Sequence, residues 1–267
     1  MIFSIVLAEF KKEEFLELSY YLIAALFLLI FSRLLSFLFA FQLSPKIHTP
    51  TFHLGNTFHN YGFMAYGLTE SLFGISIMPK LFAFVLVFEL FLWTYGISMF
   101  NNKKKGKFSF KNIMSPPAIA MITAITLVFF HPIQLNNFMI GKIVLYSGKI
   151  AVPLALFFVG IIIFNALKKI NYTMLKSSWF RRSILLRHMT VPLLFIPISH
   201  LLTEDDLRHV CAVQAIMPLA LMTAAVAAIY GGNHKKLGPL ITCSQLLCVL
   251  TIPLWIILYQ GIGIIKL

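Results

Sequence analysis

The sequence predicts an all-α protein that crosses a membrane about eight times, and three observations support this fold class. Of the 267 residues, 59% are hydrophobic and 12% are charged, whereas soluble domains carry about 25% charged residues. Apolar runs of roughly 20 residues, the length that spans a bilayer, recur along the chain with no soluble block between them. The loops between these runs alternate in charge. We therefore expect a single transmembrane domain over residues 1–267.

The apolar runs and the charged loops together predict a topology. The predicted spans cover residues 20–41, 55–76, 81–100, 113–130, 140–164, 184–202, 210–230 and 237–261. Loops on one side then hold thirteen basic residues and no acidic ones, and loops on the other hold six basic and seven acidic residues. Basic loops are retained in the cytoplasm. The sequence therefore predicts a multi-pass protein of the inner (plasma) membrane with both termini on the non-cytoplasmic side.

The basic charge indicates orientation in a lipid bilayer rather than binding to nucleic acid. The net charge of +13 comes from short loops between apolar runs, which is the distribution that orients a membrane protein. Residues 101–112 form the longest purely polar break and carry five lysines. We interpret them as a cytoplasmic linker that separates residues 1–100 from residues 113–267.

The predicted span over residues 55–76 contains residues that a simple anchoring helix does not need. Asn60, Gly62, Gly67 and Glu70 lie within it. Lipid cannot hydrogen-bond an opened backbone, so such residues usually line a cavity enclosed by protein. Glycine permits a helix break, and we expect the break at Gly67. The Asn60 amide either joins two helices or holds a substrate oxygen, and the flanking glycines favour the second role.

The seventh predicted span contains a second interruption, at Gln214, Met217 and Pro218. A proline within a helix removes one backbone hydrogen bond and clashes with the preceding turn. Interrupted helices in two halves of a chain indicate a secondary-transporter binding site. Glu70 and Lys149 are the candidates for proton coupling, because charges within a membrane are costly unless they are paired or hydrated.

No catalytic, metal or cofactor motif occurs in the sequence. The patterns typical of serine hydrolases, zinc peptidases, phosphate-binding loops and dinucleotide sites do not occur. The histidines form no ligand pattern, and we interpret each as a core or interfacial residue. We therefore expect neither an enzyme nor a cofactor.

Four stretches of the chain resemble the auxin efflux carrier family of membrane transporters, in its bacterial branch. FHNYGFMAYGLTESLFG resembles the family's broken fourth helix, and SPPAIAMITAITLVFF is similar to its sixth. YSGKIAVPLALFFVGIII resembles the seventh helix. CAVQAIMPLALMTAAVAAIYGG and LLCVLTIPLWIILY resemble the broken ninth helix and the tenth. These stretches occur in the family's order and with its spacing. Together they cover nearly the whole chain.

The resemblance implies a fold of two inverted five-helix repeats with two crossing broken helices. Residues 1–100 would form a partial first repeat that lacks the first two helices, and residues 113–267 would form the second. Gly67 stands where the family has its crossover proline, and Ala65 where it has a glycine.

By this resemblance the chain is a secondary transporter of a small organic anion, such as a malate-like or auxin-like carboxylate, that works by alternating access. Asn60, Gly62, Gly67, Gln214, Met217 and Pro218 would bind the carboxylate. The alternative is a truncated, non-transporting remnant or a regulatory subunit. A homodimer is an open alternative for the assembly.

Overall fold

The computed structural model of the chain describes residues 2–9, 16–41, 50–100, 116–130, 139–167 and 176–266, and these are helical apart from short connections. The helices are α1 (Ile2–Glu9), α2 (Leu18–Phe41), α3 (Pro50–Thr57), α4 (Phe63–Phe73), α5 (Met78–Phe91), α6 (Pro116–Phe130), α7 (Met139–Leu167), α8 (Ser178–Leu185), α9 (Val191–Ser199), α10 (Asp205–Ile216), α11 (Leu221–Tyr230) and α12 (His234–Gly261). A π-helical turn, Leu92–Gly96, extends α5, and another, Leu186–Thr190, joins α8 to α9.

Every predicted span coincides with helical structure in the described residues. Three described stretches are long and apolar enough to cross a membrane: Leu18–Ala40, Met78–Gly96 and His234–Gly261. The chain is therefore a helical membrane protein, while the number of eight crossings stays a prediction. The predicted linker 101–112 lies outside the described residues.

Two predicted spans are each interrupted. The first, over 55–76, is broken near its start, where residues 58–62 separate α3 from α4. The prediction of a break at Gly67 is wrong, because Gly67 lies within α4, where its carbonyl accepts a hydrogen bond from the hydroxyl of Ser71 at 2.7 Å. The break occurs earlier, and Gly62 precedes the first residue of α4.

The second interruption lies where the sequence predicts it. Residues 217–220 separate α10 from α11. Met217 has an extended conformation, with φ −67° and ψ 142°, which the following Pro218 favours because its ring excludes the helical conformation of the residue before it. Pro218 also lacks the N–H that a continuous helix would require.

Charged and polar contacts join the ends of several helices at one side of the molecule. The ammonium of Lys80, at the start of α5, lies 2.7 Å from Asp206, 3.2 Å from Glu204 and 3.7 Å from Glu17. We call these four residues the rim cluster. The hydroxyl of Tyr21 donates a hydrogen bond to Glu204 at 2.8 Å. All members of the rim cluster belong to the loops that the charge alternation assigns to the non-cytoplasmic side.

Residues of the basic loops contact the end of α2 and the start of α3. Arg182, in α8, donates a hydrogen bond to the carbonyl of Phe39 near the end of α2, at 3.3 Å. The backbone N–H of Asn233 donates to Thr51 at the start of α3, at 2.9 Å. The contacts thus agree with the sorting of loops into two sides, while the side that faces the cytoplasm stays a prediction.

Candidate functional site at the helix crossing

The two helix interruptions lie directly against each other. The N–H of Asn60 donates to the carbonyl of Pro218 at 2.7 Å, and the N–H of Ala220 donates to the carbonyl of Phe58 at 3.3 Å. These bonds form an isolated antiparallel bridge centred on His59 and Leu219. Each break thus supplies hydrogen-bond partners that the other lost, as backbone groups away from water require. We call residues 58–62 and 217–220 together the crossing.

A buried arginine caps the last turn of α10. The side chain of Arg187 is 1% exposed, and its Nε donates to the carbonyl of Met217. Its Nη2 donates to the carbonyls of Gln214 at 2.7 Å and Ala215 at 3.1 Å. The last carbonyls of a helix have no partner within the helix and carry partial negative charge. The guanidinium satisfies these carbonyls and places a positive charge beside them.

The charge of Arg187 has no carboxylate counterpart in the described part of the chain. The ion pairs found there involve Lys80, Arg208 and Lys266. A buried charge without a counter-ion is costly unless dipoles or a bound ion of opposite charge compensate it. Three carbonyl dipoles offset part of this cost, and the site keeps a net positive charge.

Side chains from two helices, α10 and α12, complete the hydrogen bonding of the crossing. The amide oxygen of Gln214 accepts a hydrogen bond from His59 Nε2 at 2.6 Å, and its amide nitrogen donates to the carbonyl of Tyr61 at 3.4 Å. From α12, the hydroxyl of Ser244 accepts from the N–H of Leu219 at 3.0 Å, and Gln245 donates to the carbonyl of Leu219 at 2.8 Å. The crossing is therefore tied to α12 as well as to the segment that carries Arg187.

Several buried polar atoms at and around the crossing have no partner among the described residues. These atoms are Asn56 Oδ1, Thr57 Oγ1, His59 Nδ1, Asn60 Nδ2, Arg187 Nη1 and Gln245 Oε1. Buried polar groups are nearly always hydrogen-bonded, so unpaired ones call for a water, an ion or a ligand. Asn60 Nδ2 and Arg187 Nη1 are both N–H donors, which suits an acceptor such as a carboxylate.

The structure brings together most of the predicted site residues. Asn60 and Gly62 belong to the first break, and Met217 and Pro218 to the second. Gln214 lies in the last turn of α10 and is fully buried. Its amide is already engaged by His59 and Tyr61, so it positions the crossing instead of presenting a free group.

The remaining predicted residues lie away from the breaks. Gly67 is inside α4, and Glu70 lies one turn further along the same helix and is half-buried. Lys149 belongs to α7, and its side chain lies outside the described part of the structure. α4 packs against α7, which places the helices of the two proton-coupling candidates side by side.

Glu89 is the most enclosed carboxylate of the described chain. It is 9% exposed, and its two oxygens accept hydrogen bonds from the Tyr61 hydroxyl and the Trp93 indole, each at 2.8 Å. Tyr61 belongs to the first break, so Glu89 anchors the crossing to α5. Both partners are neutral donors, and together they satisfy the two oxygens of the carboxylate. We therefore assign Glu89 a structural role.

Arg187 and His59 are the members of the site that the sequence does not reveal by pattern. Arg187 lies three residues inside a predicted span that begins at residue 184, next to the basic loop that contains Arg181 and Arg182. A basic residue so close to a predicted helix end is interpreted as part of the charged loop that flanks the span. The helix in fact starts at Ser178, which moves Arg187 one to two turns deeper. The sequence feature that could have identified Arg187 is its position as a charged residue within an otherwise apolar run.

Comparison with known proteins matches the sequence to one family of membrane proteins. The sequence model of a family described as membrane transport protein matches residues 105–256. A search of curated proteins and a search of solved structures each return no match. The matched residues include the second break, Arg187 and the start and middle of α12, which are the parts that cap the end of α10.

Proposed function

Because the chain belongs to the membrane transport protein family, which is that of the auxin efflux carriers, we propose that it is a secondary transporter of a small organic anion. The substrate class is a carboxylate, malate-like or auxin-like, and the mechanism is alternating access around the crossing. The proposed location is the inner membrane, with the basic loops in the cytoplasm.

The observation that carries this proposal is the buried guanidinium of Arg187 at the crossing. It lacks a carboxylate partner among the described residues, and its Nη1 lacks a hydrogen-bond partner there. A carboxylate that accepts a bond from Nη1 supplies both the missing charge and the missing acceptor. An amine or a neutral sugar supplies no negative charge, so the site favours anions.

Helix dipoles strengthen the preference for an anion. α4 and α11 both begin at the crossing, and the start of a helix carries partial positive charge from its unpaired N–H groups. α3 and α10 end there and carry the opposite sign, but Arg187 offsets the end of α10. Two helix starts and a guanidinium therefore outweigh the end of α3.

Within the proposed site the residues have different roles. Asn60 Nδ2 and Arg187 Nη1 donate to the substrate carboxylate. Gly62 allows close approach, because its Cα carries no side chain, and Met217 and Pro218 shape the opposite wall. Gln214 and Gly67 position the two broken helices. Glu70, with Lys149 on the neighbouring helix, links transport to protons.

The test is uptake by the purified full chain in proteoliposomes, with labelled malate and labelled indole-3-acetate as probes. Unlabelled carboxylates of similar size should compete, and the corresponding amides and amines should not. Competition by the amines at the same concentration as the acids would contradict an anion site. Absence of flux for every acid of a broad panel would contradict transport by this chain.

The asparagines at residues 56 and 60 give a matched pair of variants. Asn60→Ala should lower uptake by about 10- to 150-fold, since losing a hydrogen bond to a charged group costs about 1.5–3 kcal/mol. It should leave the melting temperature unchanged, because Nδ2 has no partner in the described structure.

Asn56→Ala should show the reverse pattern. Asn56 Nδ2 donates to the Phe52 carbonyl at 2.8 Å and to the Ser183 hydroxyl at 3.0 Å, so its loss should lower the melting temperature. Uptake per folded molecule should stay close to that of the wild type. Unchanged flux in Asn60→Ala would remove Asn60 from the site.

A further inference from the structure

We propose that Arg187 is a resident cation: its guanidinium permanently fills the carbonyl site at the broken end of α10 that a transported alkali cation would otherwise need. The chain would then move its substrate without Na⁺ or K⁺ as a coupling ion. This inference rests on the proposed transport of an organic anion and adds to it the reason why no metal cation is required.

The carbonyls that Arg187 binds form the kind of site that alkali cations use in broken-helix transporters. Unwound backbone carbonyls and the ends of half-helices coordinate Na⁺ in such proteins. Here the carbonyls of Gln214, Ala215 and Met217 converge on one guanidinium. The carbonyl of Met217 accepts from Nε, and those of Gln214 and Ala215 accept from Nη2, so the partial negative charge of all three faces the same guanidinium.

Tethering distinguishes this cation from a transported one. Arg187 lies in the π-helical turn Leu186–Thr190, and such turns often occur at functional sites. The neighbouring His188 fastens the turn to α12, with Nδ1 3.0 Å from the Thr251 hydroxyl and Nε2 2.8 Å from the Ser244 hydroxyl. The indole of Trp255 also donates to the His188 carbonyl at 2.8 Å. The guanidinium therefore stays at the carbonyls throughout a cycle.

The tether also joins the cation to the crossing by a second route. The Ser244 hydroxyl that contacts His188 accepts the N–H of Leu219, which is the centre of the bridge between the two breaks. Arg187, α12 and the second break are thus one hydrogen-bonded unit. A side chain held in this way is positioned to serve both the carbonyls and, through Nη1, a bound anion.

The first experiment measures thermal unfolding of the purified full chain in detergent, in equal concentrations of sodium chloride, potassium chloride and choline chloride. The wild type should show the same melting temperature in all three salts, since no alkali cation binds the folded state. A saturable rise in the melting temperature with Na⁺ or K⁺ would overturn the proposal, because it would reveal an occupied alkali site in the presence of Arg187.

The second experiment empties the carbonyl site with Arg187→Ala. This variant should melt at a lower temperature in choline chloride, and methylguanidinium at non-denaturing concentrations should restore part of the loss in a saturable manner. Na⁺ should also raise its melting temperature relative to choline. Arg182→Ala is the matched control, because Arg182 donates to a single carbonyl in a half-buried position and should show neither restoration.

The outcomes separate the two proposals. Equal restoration of both variants, or of neither, would overturn the resident cation. If Arg187→Ala does not fold, Arg187→Lys keeps a cation and should melt at the same temperature in all three salts, and a rise with Na⁺ would count against the proposal. Anion flux in choline medium should equal that in sodium medium. Failure to find any anion flux contradicts transport, whereas the melting experiments still decide the role of Arg187.

Discussion

At the scale of single residues, Glu70 and Glu89 are two carboxylates within predicted spans with different surroundings. Glu89 is buried and accepts hydrogen bonds from Tyr61 and Trp93, so both of its oxygens are satisfied. Glu70 is half-buried on α4, which packs against α7. A group that exchanges protons in every cycle cannot be fully enclosed, and of these two carboxylates Glu70 is the one that is partly exposed.

We therefore expect Glu70→Gln to abolish the effect of a pH gradient on anion flux and to leave the melting temperature near the wild-type value. Glu89→Gln should instead lower the free energy of unfolding by about 1–3 kcal/mol, because one of the two donors loses its acceptor. Its flux per folded molecule should still respond to the gradient. Proteoliposome flux with and without an imposed pH difference, together with melting curves, separates the two variants. Loss of gradient dependence in Glu89→Gln alone would reverse the assignment.

The polar residues of the first break could be predicted from the sequence, but their roles only in part. Asn60 is conspicuous because an amide at membrane depth needs a partner or a ligand. Gln214 is equally conspicuous, yet its partners are His59 and Tyr61, which only the fold brings within reach. Arg187 was missed since its depth depends on the helix boundary, which is the least certain part of a sequence prediction.

At the scale of helices, the two interruptions show when a proline or glycine in the sequence is enough to predict the position of a break. Pro218 has no N–H and fixes its own break, so the prediction there is confirmed. The first break has no proline, and Gly67 only permits a break. The bonds of Asn60 and Phe58 to the second break determine its position. A break that depends on a partner far along the chain cannot be placed from local sequence.

The end of α4 gives a test of one glycine that the fold requires. Gly74 has φ 83° and ψ −179°, a conformation that is essentially restricted to glycine. Gly74→Ala should lower the free energy of unfolding by about 1–3 kcal/mol. A Cβ at this position would meet no atom within 4 Å, so any loss would come from the backbone and not from a clash.

Gly160 is the control for Gly74. It lies within α7 in an exposed position, and a Cβ there would also meet nothing within 4 Å. Gly160→Ala should raise the free energy of unfolding by about 0.5–1 kcal/mol, because alanine favours the helix. Melting curves of both variants in one detergent provide the measurement, and an equal effect of the two substitutions would contradict the backbone argument.

At the scale of the whole molecule, the rim cluster and the opposite basic group define two faces. Glu17, Lys80, Glu204 and Asp206 come from three separate segments of the chain and meet at one face. The charges of the loops could predict this sorting. Successive spans place successive loops on opposite sides of the membrane, and the basic loops then fall on one side. The count of crossings could not be settled in the same way, because each half of the two broken helices is shorter than the roughly 20 residues that span a bilayer.

The two faces should be accessible from opposite sides of the membrane. We expect a cysteine in place of Asp205 to react with an impermeant thiol reagent added outside intact cells, and a cysteine in place of Lys235 to react only after the membrane is opened. Both positions are exposed, and Cys211, Cys243 and Cys248 would first be replaced by alanine. Labelling of Lys235→Cys from outside would reverse the predicted orientation.

The tethered charge of Arg187 also gives the loaded and the empty forms of the proposed carrier different net charges. With a singly charged anion beside it, the crossing has no net charge from the two groups, and the membrane potential exerts little force on the loaded form. The empty form keeps one positive charge. Moving that charge across the full field changes its energy by about 2.3 kcal/mol per 100 mV. For a singly charged substrate, voltage would therefore act on the return of the vacant carrier and leave the step that carries cargo nearly untouched.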